Sequence, residues 1–470
     1  MKRTFVSHSL GMLLALFPAT ALAGETTLVA GPNLVTGRMN HSAIVTAQGK
    51  VVLFGGHGPG FTTLGTAEMW TPGEAAWTSV SMGFPHDAPA FARLADGRYF
   101  IAGGSSSLGI PAYNTIEVFD PAAGTFSAGE QPLVRFRAAS GSVQLAGGKV
   151  LLAGAWWVHN DAHTVGELYD PATGVCTATG PLNLARSAPV VLPMTNGDAI
   201  VVGGVPPTGG GLLATPERYS AAANTFTKVA DEIMPDDPGW TVGASFSAVI
   251  AGEDLRLADG RHFLVSIYRS KAGVSEQGFA RFDAETGTFH RVVTTPALPD
   301  YATEIFLYNP MLDRARNVAY LFSYIPNSSP PRALIRTLNL TTGATEALPG
   351  IVQFPADYEL SAATLTRLSD GRILVAGGAT PGTGNFGARA NTFLITPGTA
   401  GPAVAIDTYA GIAVSGSVGL AYAVEYATAL APETWLPLTT VTLTNATQLV
   451  FDPSPLSGQA KRFYRAKAAE

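Results

Sequence analysis

Residues 38–56 read RMNHSAIVTAQGKVVLFGG, and this stretch decides the fold of most of the chain. Apolar and polar residues alternate over residues 42–47, a tight Gln-Gly turn follows, and a second apolar run at 51–54 ends on Gly55-Gly56. Alternation with period two, a glycine turn and a second β-branched run together predict a β-hairpin.

The same pattern returns four times, as LADGRYFIAGG (94–104), LAGGKVLLAG (145–154), TNGDAIVVGG (195–204) and LSDGRILVAGG (368–378). The closing glycines at 56, 104, 154 and 204 are 48 to 50 residues apart, and the interval from 204 to 378 is three times 58. Two weaker copies, ADGRHFLVSIY (258–268) and ARNVAYLFSY (315–324), fit within that interval. The sequence therefore predicts seven repeats, or six or eight if the weak copies are misread.

Each repeat continues with two further predicted strands. The third strand carries AEMWTP (67–72), IEVFDP (116–121) or GELYDP (166–171), and the fourth carries a large apolar residue at Trp77, Phe126, Phe226 or Phe289. Four short strands per period of about 50 residues are typical of a β-propeller blade. Residues 26–30 belong to no repeat, and because a lone strand has exposed edges, we expect them to pair with 391–396 of the last one.

The elements GRMNHSA, GKVVLFGG, AEMWTP and Trp77 resemble a kelch repeat, in which a double glycine precedes an aromatic pair. The resemblance covers about residues 26–397 and is strongest in repeats one to four and seven. It implies an all-β, seven-bladed kelch-type β-propeller over residues 24–398. It specifies little about function, because such propellers serve as interaction platforms, carbohydrate binders and enzyme scaffolds.

Residues 403–470 carry no such motif and predict a small β-sandwich-like domain of five or six short strands, after a linker at 399–402. The segments VEYAT, TWLPL and RFYRA resemble a β-module found at the C-termini of many secreted bacterial proteins.

The first 23 residues have the features of a secretory signal peptide: Lys2 and Arg3, an apolar run at 10–17 and Ala-Leu-Ala at 21–23. Cleavage there would change the formal charge from −6 to −8, because two cations and no acid are removed. An acidic chain without a basic run argues against nucleic acid or an anionic membrane as partner. No later apolar stretch reaches membrane-spanning length. We therefore expect a secreted or periplasmic monomer.

Cys176, the only cysteine, is predicted to fill core space on an outer strand. Copper-radical oxidases share the kelch propeller but require a tyrosine crosslinked to a cysteine, so this position argues against that chemistry. Neither the repeated Ser-x-Asp-x-Gly-x-x-Trp box of sialidases nor a Gly-x-Ser-x-Gly elbow between strand and helix is present. The sequence thus predicts no catalytic residue, no metal and no cofactor.

Strand alternation places the short glycine turns at one end of the repeats and the long, variable loops at the other. We call the second end the loop-rich end and expect ligands there. Its segment 155–163, AWWVHNDAH, offers Trp156 and Trp157 for stacking on a sugar, or merely for packing the loop. His159, Asp161 and His163 alternate, which would suit a metal site or simply a hydrated loop.

One residue leads into the innermost strand of each repeat, and we call its place the lead-in position. Counting back from the glycine turns gives Arg38, His86, Arg137 and Arg186, and the comparable region of later repeats holds Trp240, Tyr301, Glu304, Tyr358 and Glu359. These residues predict a mouth with a basic half and an acidic, aromatic half. The arginines would bind an anionic or polar ligand, or hydrogen-bond backbone carbonyls between repeats.

These features favour a binding module for a glycan or an extracellular protein at the loop-rich end. The alternative is an extracellular carbohydrate-active enzyme using carboxylates among Asp300, Glu304, Asp357 and Glu359.

Overall fold

The computed structural model describes residues 24–105, 113–129, 131–155, 163–208, 211–242, 255–271, 274–299, 303–306, 310–360, 362–384, 387–398, 411–427, 434–452 and 463–469. These residues form β-strands joined by turns, a 3-10 turn lies at Pro59–Phe61, and the all-β class is confirmed. Within these ranges, no helix has the length and apolar character needed to traverse a bilayer. The chain divides into two compact units, 1–400 and 401–470. The predicted signal peptide lies outside the described residues.

The first unit contains seven antiparallel sheets of four or more strands, numbered here in chain order. Sheet 1 consists of Ser42–Val45, Val51–Phe54, Thr66–Trp70 and Thr78–Ser81. Sheet 2 consists of Ala90–Arg93, Tyr99–Ala102, Ile116–Asp120 and Thr125–Ala128. Sheet 3 consists of Gly141–Gln144, Val150–Ala153, Val165–Asp170 and Val175–Pro181. Sheet 4 consists of Val190–Pro193, Ala199–Val202, Glu217–Ser220 and Thr225–Lys228.

Sheet 5 consists of Thr241–Val242, His262–Lys271, Val274–Asp283 and Thr288–Arg291. In sheet 6, Ile305–Phe306 and Met311–Asp313 pair with Val318–Ile325, which pairs with Arg332–Asn339, and that strand pairs with Thr345–Ala347 and Val352–Gln353. Sheet 7 consists of Thr364–Arg367, Ile373–Ala376, Thr392–Thr396 and Thr27–Ala30. A two-stranded ladder, His57–Gly58 with Thr62–Thr63, follows the second strand of sheet 1.

The second strand of each sheet is buried on both faces, because alternate side chains pack against different neighbours. In sheet 1, Val51 and Leu53 contribute to a cluster shared with sheet 7, while Val52 and Phe54 contribute to one shared with sheet 2. Similar clusters join sheets 2 and 3, 3 and 4, 4 and 5, 5 and 6, and 6 and 7. The seven sheets are therefore linked in cyclic order by seven apolar interfaces.

The double glycine exists because the next sheet's backbone occupies the space that a side chain would need. A Cβ on Gly55 would lie 2.1 Å from the carbonyl oxygen of His86, and one on Gly377 would lie 2.2 Å from that of Arg38. Gly55 and Gly377 also have φ of 56° and 75°, which disfavours other residues. Sheet 7 meets sheet 1 in the same way that sheet 1 meets sheet 2. The double glycine is therefore a sequence signal of the contact between consecutive sheets, including the contact between the last sheet and the first.

The N-terminal strand pairs as predicted. Thr27–Ala30 runs antiparallel to Thr392–Thr396, with Thr27 opposite Thr396 and Ala30 opposite Phe393. The pairing with the last repeat is confirmed.

The described residues of the second unit form two small sheets. Gly411–Ser415 pairs with Thr447–Phe451, and Ala421–Ala427 lies between Leu436–Thr442 and Phe463–Ala468. Val414, Val424 and Leu443 form its buried centre.

Candidate functional site

The lead-in arginines of sheets 1, 3 and 4 are fully buried and face protein atoms. The guanidinium of Arg38 donates to Glu68 Oε1 at 2.7 Å and to the Gly55 carbonyl at 2.8 Å. The same contacts recur in the other two sheets: Arg137 to Glu167 (2.8 Å) and Gly154 (3.3 Å), and Arg186 to Glu217 (3.0 Å) and Gly203 (3.0 Å). Of the two roles considered for these arginines, the contacts support the binding of backbone carbonyls, and each carbonyl lies in the arginine's own repeat and not in the neighbouring one. They also show that Gly154 is the first glycine of its pair and Ala155 replaces the second.

The paired glutamates hold the loop that enters each sheet. Glu68 accepts hydrogen bonds from the backbone N–H groups of Val35 (2.7 Å) and Thr36 (2.9 Å), and Glu167 and Glu217 do the same for their own loops. Burial lowers the pKa of each arginine, and the charge and the hydrogen bond of the adjacent glutamate oppose that shift. Each pair is therefore a staple between the third strand, the double glycine and the incoming loop.

His86 takes the arginine's place in sheet 2. Its Nδ1 lies 2.5 Å from the Gly103 carbonyl and its Nε2 lies 3.1 Å from Glu117 Oε2. The ring therefore bridges the Gly103 carbonyl and the Glu117 carboxylate. His86 is fully buried and is part of the same staple.

Sheets 5 to 7 use the two positions differently. In sheet 6 the charges are exchanged, because Glu304 is the lead-in residue and Arg336 lies on the third strand, with contacts of 2.6 and 2.8 Å. In sheet 7 the Tyr358 hydroxyl donates to the Gly377 carbonyl at 2.7 Å, and its ring meets Phe393 at 4.9 Å. In sheet 5 the fully buried Trp240 lies beneath the guanidinium of Arg269, 4.4 Å from its ring.

The remaining predicted site residues divide into two groups. Glu359 is half-buried and its backbone pairs with Ala379, while Asp357 is 70% exposed and bonded to Arg389 at 2.6 Å. The others, Trp156, Trp157, His159, Asp161, Asp300 and Tyr301, lie outside the described residues. Of the predicted metal ligands only His163 is described, and it is half-buried.

A polar cluster at the loop-rich end was missed by the sequence reasoning. His57 Nδ1 lies 3.3 Å from Asp87 Oδ1, and the Ser105 hydroxyl donates to Asp87 Oδ2 at 2.7 Å. His57 and Asp87 are buried, and His57 Nε2 has no hydrogen-bond partner among the described residues. The ring of Phe61 meets that of His57 edge-on at 4.6 Å. The cluster joins sheets 1 and 2, since His57 and Ser105 follow their double glycines and Asp87 follows a lead-in residue.

His41 is a separate buried histidine whose Nε2 lies 2.8 Å from the Thr364 hydroxyl. Burial lowers its pKa well below 6.5, and nearby Arg38 and His57 lower it further. His41 is therefore neutral. In the part of the chain that the structure describes, no three His, Cys, Asp or Glu side chains are grouped to hold a metal ion.

Cys176 lies on the outermost strand of sheet 3, as predicted, and packs against the cluster between sheets 2 and 3. Burial raises the pKa of its thiol to about 12. The thiol is therefore a protonated side chain that packs on an outer strand.

Comparisons with known proteins give information about the fold and none about the function. No protein-family model and no curated protein matches the chain. Among solved structures, the chain is similar to a fungal alcohol oxidase described as having catalytic diversity among the AA5 family and as being in complex with copper. The match covers 94% of this chain and 92% of that one, with a TM-score of 0.55 and 13% identity. At that identity the likeness concerns the fold alone.

Proposed function

We propose that this chain is a secreted, monomeric, seven-bladed kelch-type β-propeller with a C-terminal β-sandwich, and that it binds a glycan or an extracellular protein at its loop-rich end. The architecture is supported by seven sheets joined in cyclic order, by the pairing of Thr27–Ala30 with sheet 7, and by the fold-level likeness to the fungal oxidase. The seven sheets are the blades.

The observation that carries the binding role is the contrast between two kinds of polar group at the loop-rich end. The charged lead-in side chains are paired within the staples. The side chains of His57, Asp87 and Ser105 instead contact one another across two sheets, and their described hydrogen bonds do not hold an incoming loop. Ser105 directly precedes residues 106–112, and Ala155 directly precedes Trp156 and Trp157. Ligand contacts are therefore expected from this cluster and from the loops that follow it.

The enzymatic alternative receives less support. Glu304 is bonded to Arg336 and to Ser323, and these bonds together with the charge of Arg336 keep its pKa low even though burial raises it. A carboxylate held in this way cannot serve as the general acid of a glycosidase, which requires a raised pKa.

A glycan array and a screen of extracellular proteins, using the chain without residues 1–23, test the proposal. We expect one ligand class whose binding is lost in Trp156→Ala/Trp157→Ala and weakened in Asp87→Asn. Asp96→Asn, at the opposite end of sheet 2, is the matched control and should leave binding unchanged. Binding that is unchanged in both Trp156→Ala/Trp157→Ala and Asp87→Asn would refute the location, and hydrolysis of an array glycan would favour the enzyme.

A further inference from the structure

The end of the sheets opposite the loop-rich end contains a cavity of about 380 Å³. Its walls come from the turns that follow the innermost strands of sheets 2, 3 and 4, and from Arg256 and Ala284 of the sheet 5 repeat. This volume is in the range of small-molecule sites. The turns at this end are short and similar in sequence, so the sequence alone does not predict a pocket here.

The cavity has an apolar floor and cationic groups at its wall. Leu94, Leu145 and Met194 line it and are almost fully buried. Arg93 and Arg256 line it too, and the lining residues, all within the described part of the chain, include no Asp or Glu. A cleft with one sign of charge and apolar walls concentrates ligands of the opposite sign.

The arginines occupy equivalent places in their hairpins, each four residues before the turn glycine, Gly97 or Gly260. In sheets 6 and 7 that place is held by Asp313 and Arg367, which neutralise one another at 2.6 Å. Arg93 has no carboxylate partner within the described residues and is exposed.

Contacts of the guanidinium hold Arg256 in position, and two of them can be described. Its guanidinium donates to the Gly260 carbonyl at 2.6 Å and lies over the ring of Phe263 at 4.7 Å. Gln144 joins the turns of sheets 2 and 3, since it accepts from the Ala95 N–H at 2.5 Å and donates to the Gly148 carbonyl at 2.7 Å. Arg256 and Gln144 are therefore fixed parts of the wall, whereas Arg93 is the exposed one.

We propose that this cavity binds a small organic carboxylate. The arginine forks match the geometry of a carboxylate, and the carbon body of the ligand would cover Leu94, Leu145 and Met194. An inorganic anion would satisfy the guanidinium groups but would make no apolar contact with the floor. The site is at the opposite end of the sheets from the proposed glycan or protein surface, so the two proposals stand or fall separately.

Calorimetric titration of the chain without residues 1–23 tests the proposal, with benzoate and glucuronate as carboxylate probes, benzamide and glucose as neutral analogues, and inorganic phosphate as the plain anion. We expect a carboxylate probe to bind and its neutral analogue not to bind. Arg93→Gln and Arg256→Gln should each weaken binding about 10- to 100-fold, because each removes a charge-assisted hydrogen bond. Arg93→Lys should retain part of the affinity.

Matched controls come from the same hairpins. Arg98 and Arg261 lie five residues further along and are paired with Asp96 and Asp283 outside the cavity lining. Arg98→Gln and Arg261→Gln should leave binding unchanged. If Arg256→Gln fails to fold, the Arg93→Gln variant still tests the proposal, because Arg93 is exposed. Equal binding of neutral analogues, phosphate binding without carboxylate binding, equal losses in the controls, or no binding at millimolar concentration would each overturn the proposal.

Discussion

The staple of sheet 3 makes a quantitative prediction about stability. Arg137 and Glu167 are fully buried 2.8 Å apart, so either one left alone is an unpaired charge inside the protein. Breaking a buried pair by removing one partner costs about 3–5 kcal/mol, whereas replacing both partners with apolar residues is often far less costly. Arg137→Met and Glu167→Leu should therefore each lower the free energy of unfolding by about 3–5 kcal/mol.

The double variant should cost less than the sum of the two single ones. Without Glu167, the partly buried N–H groups of Val134 and Arg135 lose their acceptor, and each hydrogen bond to a charged group contributes about 1.5–3 kcal/mol. This loss is already present in Glu167→Leu and is not repeated when Arg137 is also removed. We expect the double variant to lie near the Glu167→Leu value, with a coupling energy of about 3 kcal/mol or more.

Urea denaturation followed by tryptophan fluorescence measures the free energy of unfolding of the original chain, the two single variants and the double variant. A solvent-exposed ion pair on the same sheet serves as the control. Lys149 and Asp170 form an ion pair on the same sheet at 3.8 Å, with 49% and 28% of their side chains exposed. Lys149→Met should change stability by at most about 1 kcal/mol. If the Arg137 and Glu167 effects add within about 0.5 kcal/mol, or match the Lys149 effect, the staple reasoning is wrong.

Three further outcomes are expected. The buried His41 has a lowered pKa and stays neutral, whereas the same histidine in the unfolded chain takes up a proton below pH 6.5. The free energy of unfolding should therefore be unaffected by His41 above pH 6.5 and should fall below it, by up to about 1.4 kcal/mol per pH unit. Denaturation midpoints from pH 7.5 to 5 should show a slope that is shallower in His41→Gln, and an unchanged slope would contradict the assignment. Leu28→Lys should destabilise sheet 7, since Leu28 packs on the cluster between sheets 6 and 7, whereas Val29→Lys, on the face that is 54% exposed, should be nearly neutral by thermal melting. The Cys176 thiol should react with iodoacetamide at pH 8 at least about 100-fold more slowly in the folded chain than in urea, and equal rates would exclude the raised pKa.

The features predicted correctly are those encoded within one repeat or by its recurrence. Alternating residues at 42–54 and a glycine turn specify a hairpin locally, and the double glycine recurs because each sheet meets the next through the same close backbone approach. Sheets 5 and 6 lack that motif. Their long central strands, such as His262–Lys271 and Val318–Ile325, pack through apolar side chains instead, so the sequence signal is weak although the sheets form.

The roles of Arg38, Arg137 and Arg186 were not decided by the sequence reasoning, because it looked at one position of each repeat in isolation. The glutamate partners lie at a constant separation, 30 residues after Arg38 and Arg137, and 31 after Arg186 and His86. A basic residue followed at that interval by a glutamate in AEMW, GELY, PERY or IEVF was a visible signal of a buried pair. Two residues that covary in charge across repeats, including the exchange at Glu304 and Arg336, indicate a structural contact rather than a ligand.

The same comparison shows where ligand contacts should be sought. In sheets 1, 4 and 7, the residue after the lead-in position pairs with the residue after the double glycine: Met39 with His57, Ser187 with Val205, and Glu359 with Ala379. These positions carry no staple, so their side chains are free to differ between sheets, and they hold a histidine, a serine or a carboxylate in some sheets and an apolar residue in others. The His57 and Asp87 contact needs two such positions from consecutive sheets, which only the packing of one sheet on the next brings together. In this fold, the lead-in residue maintains the structure of each sheet, and the residue after it can vary as a binding surface requires.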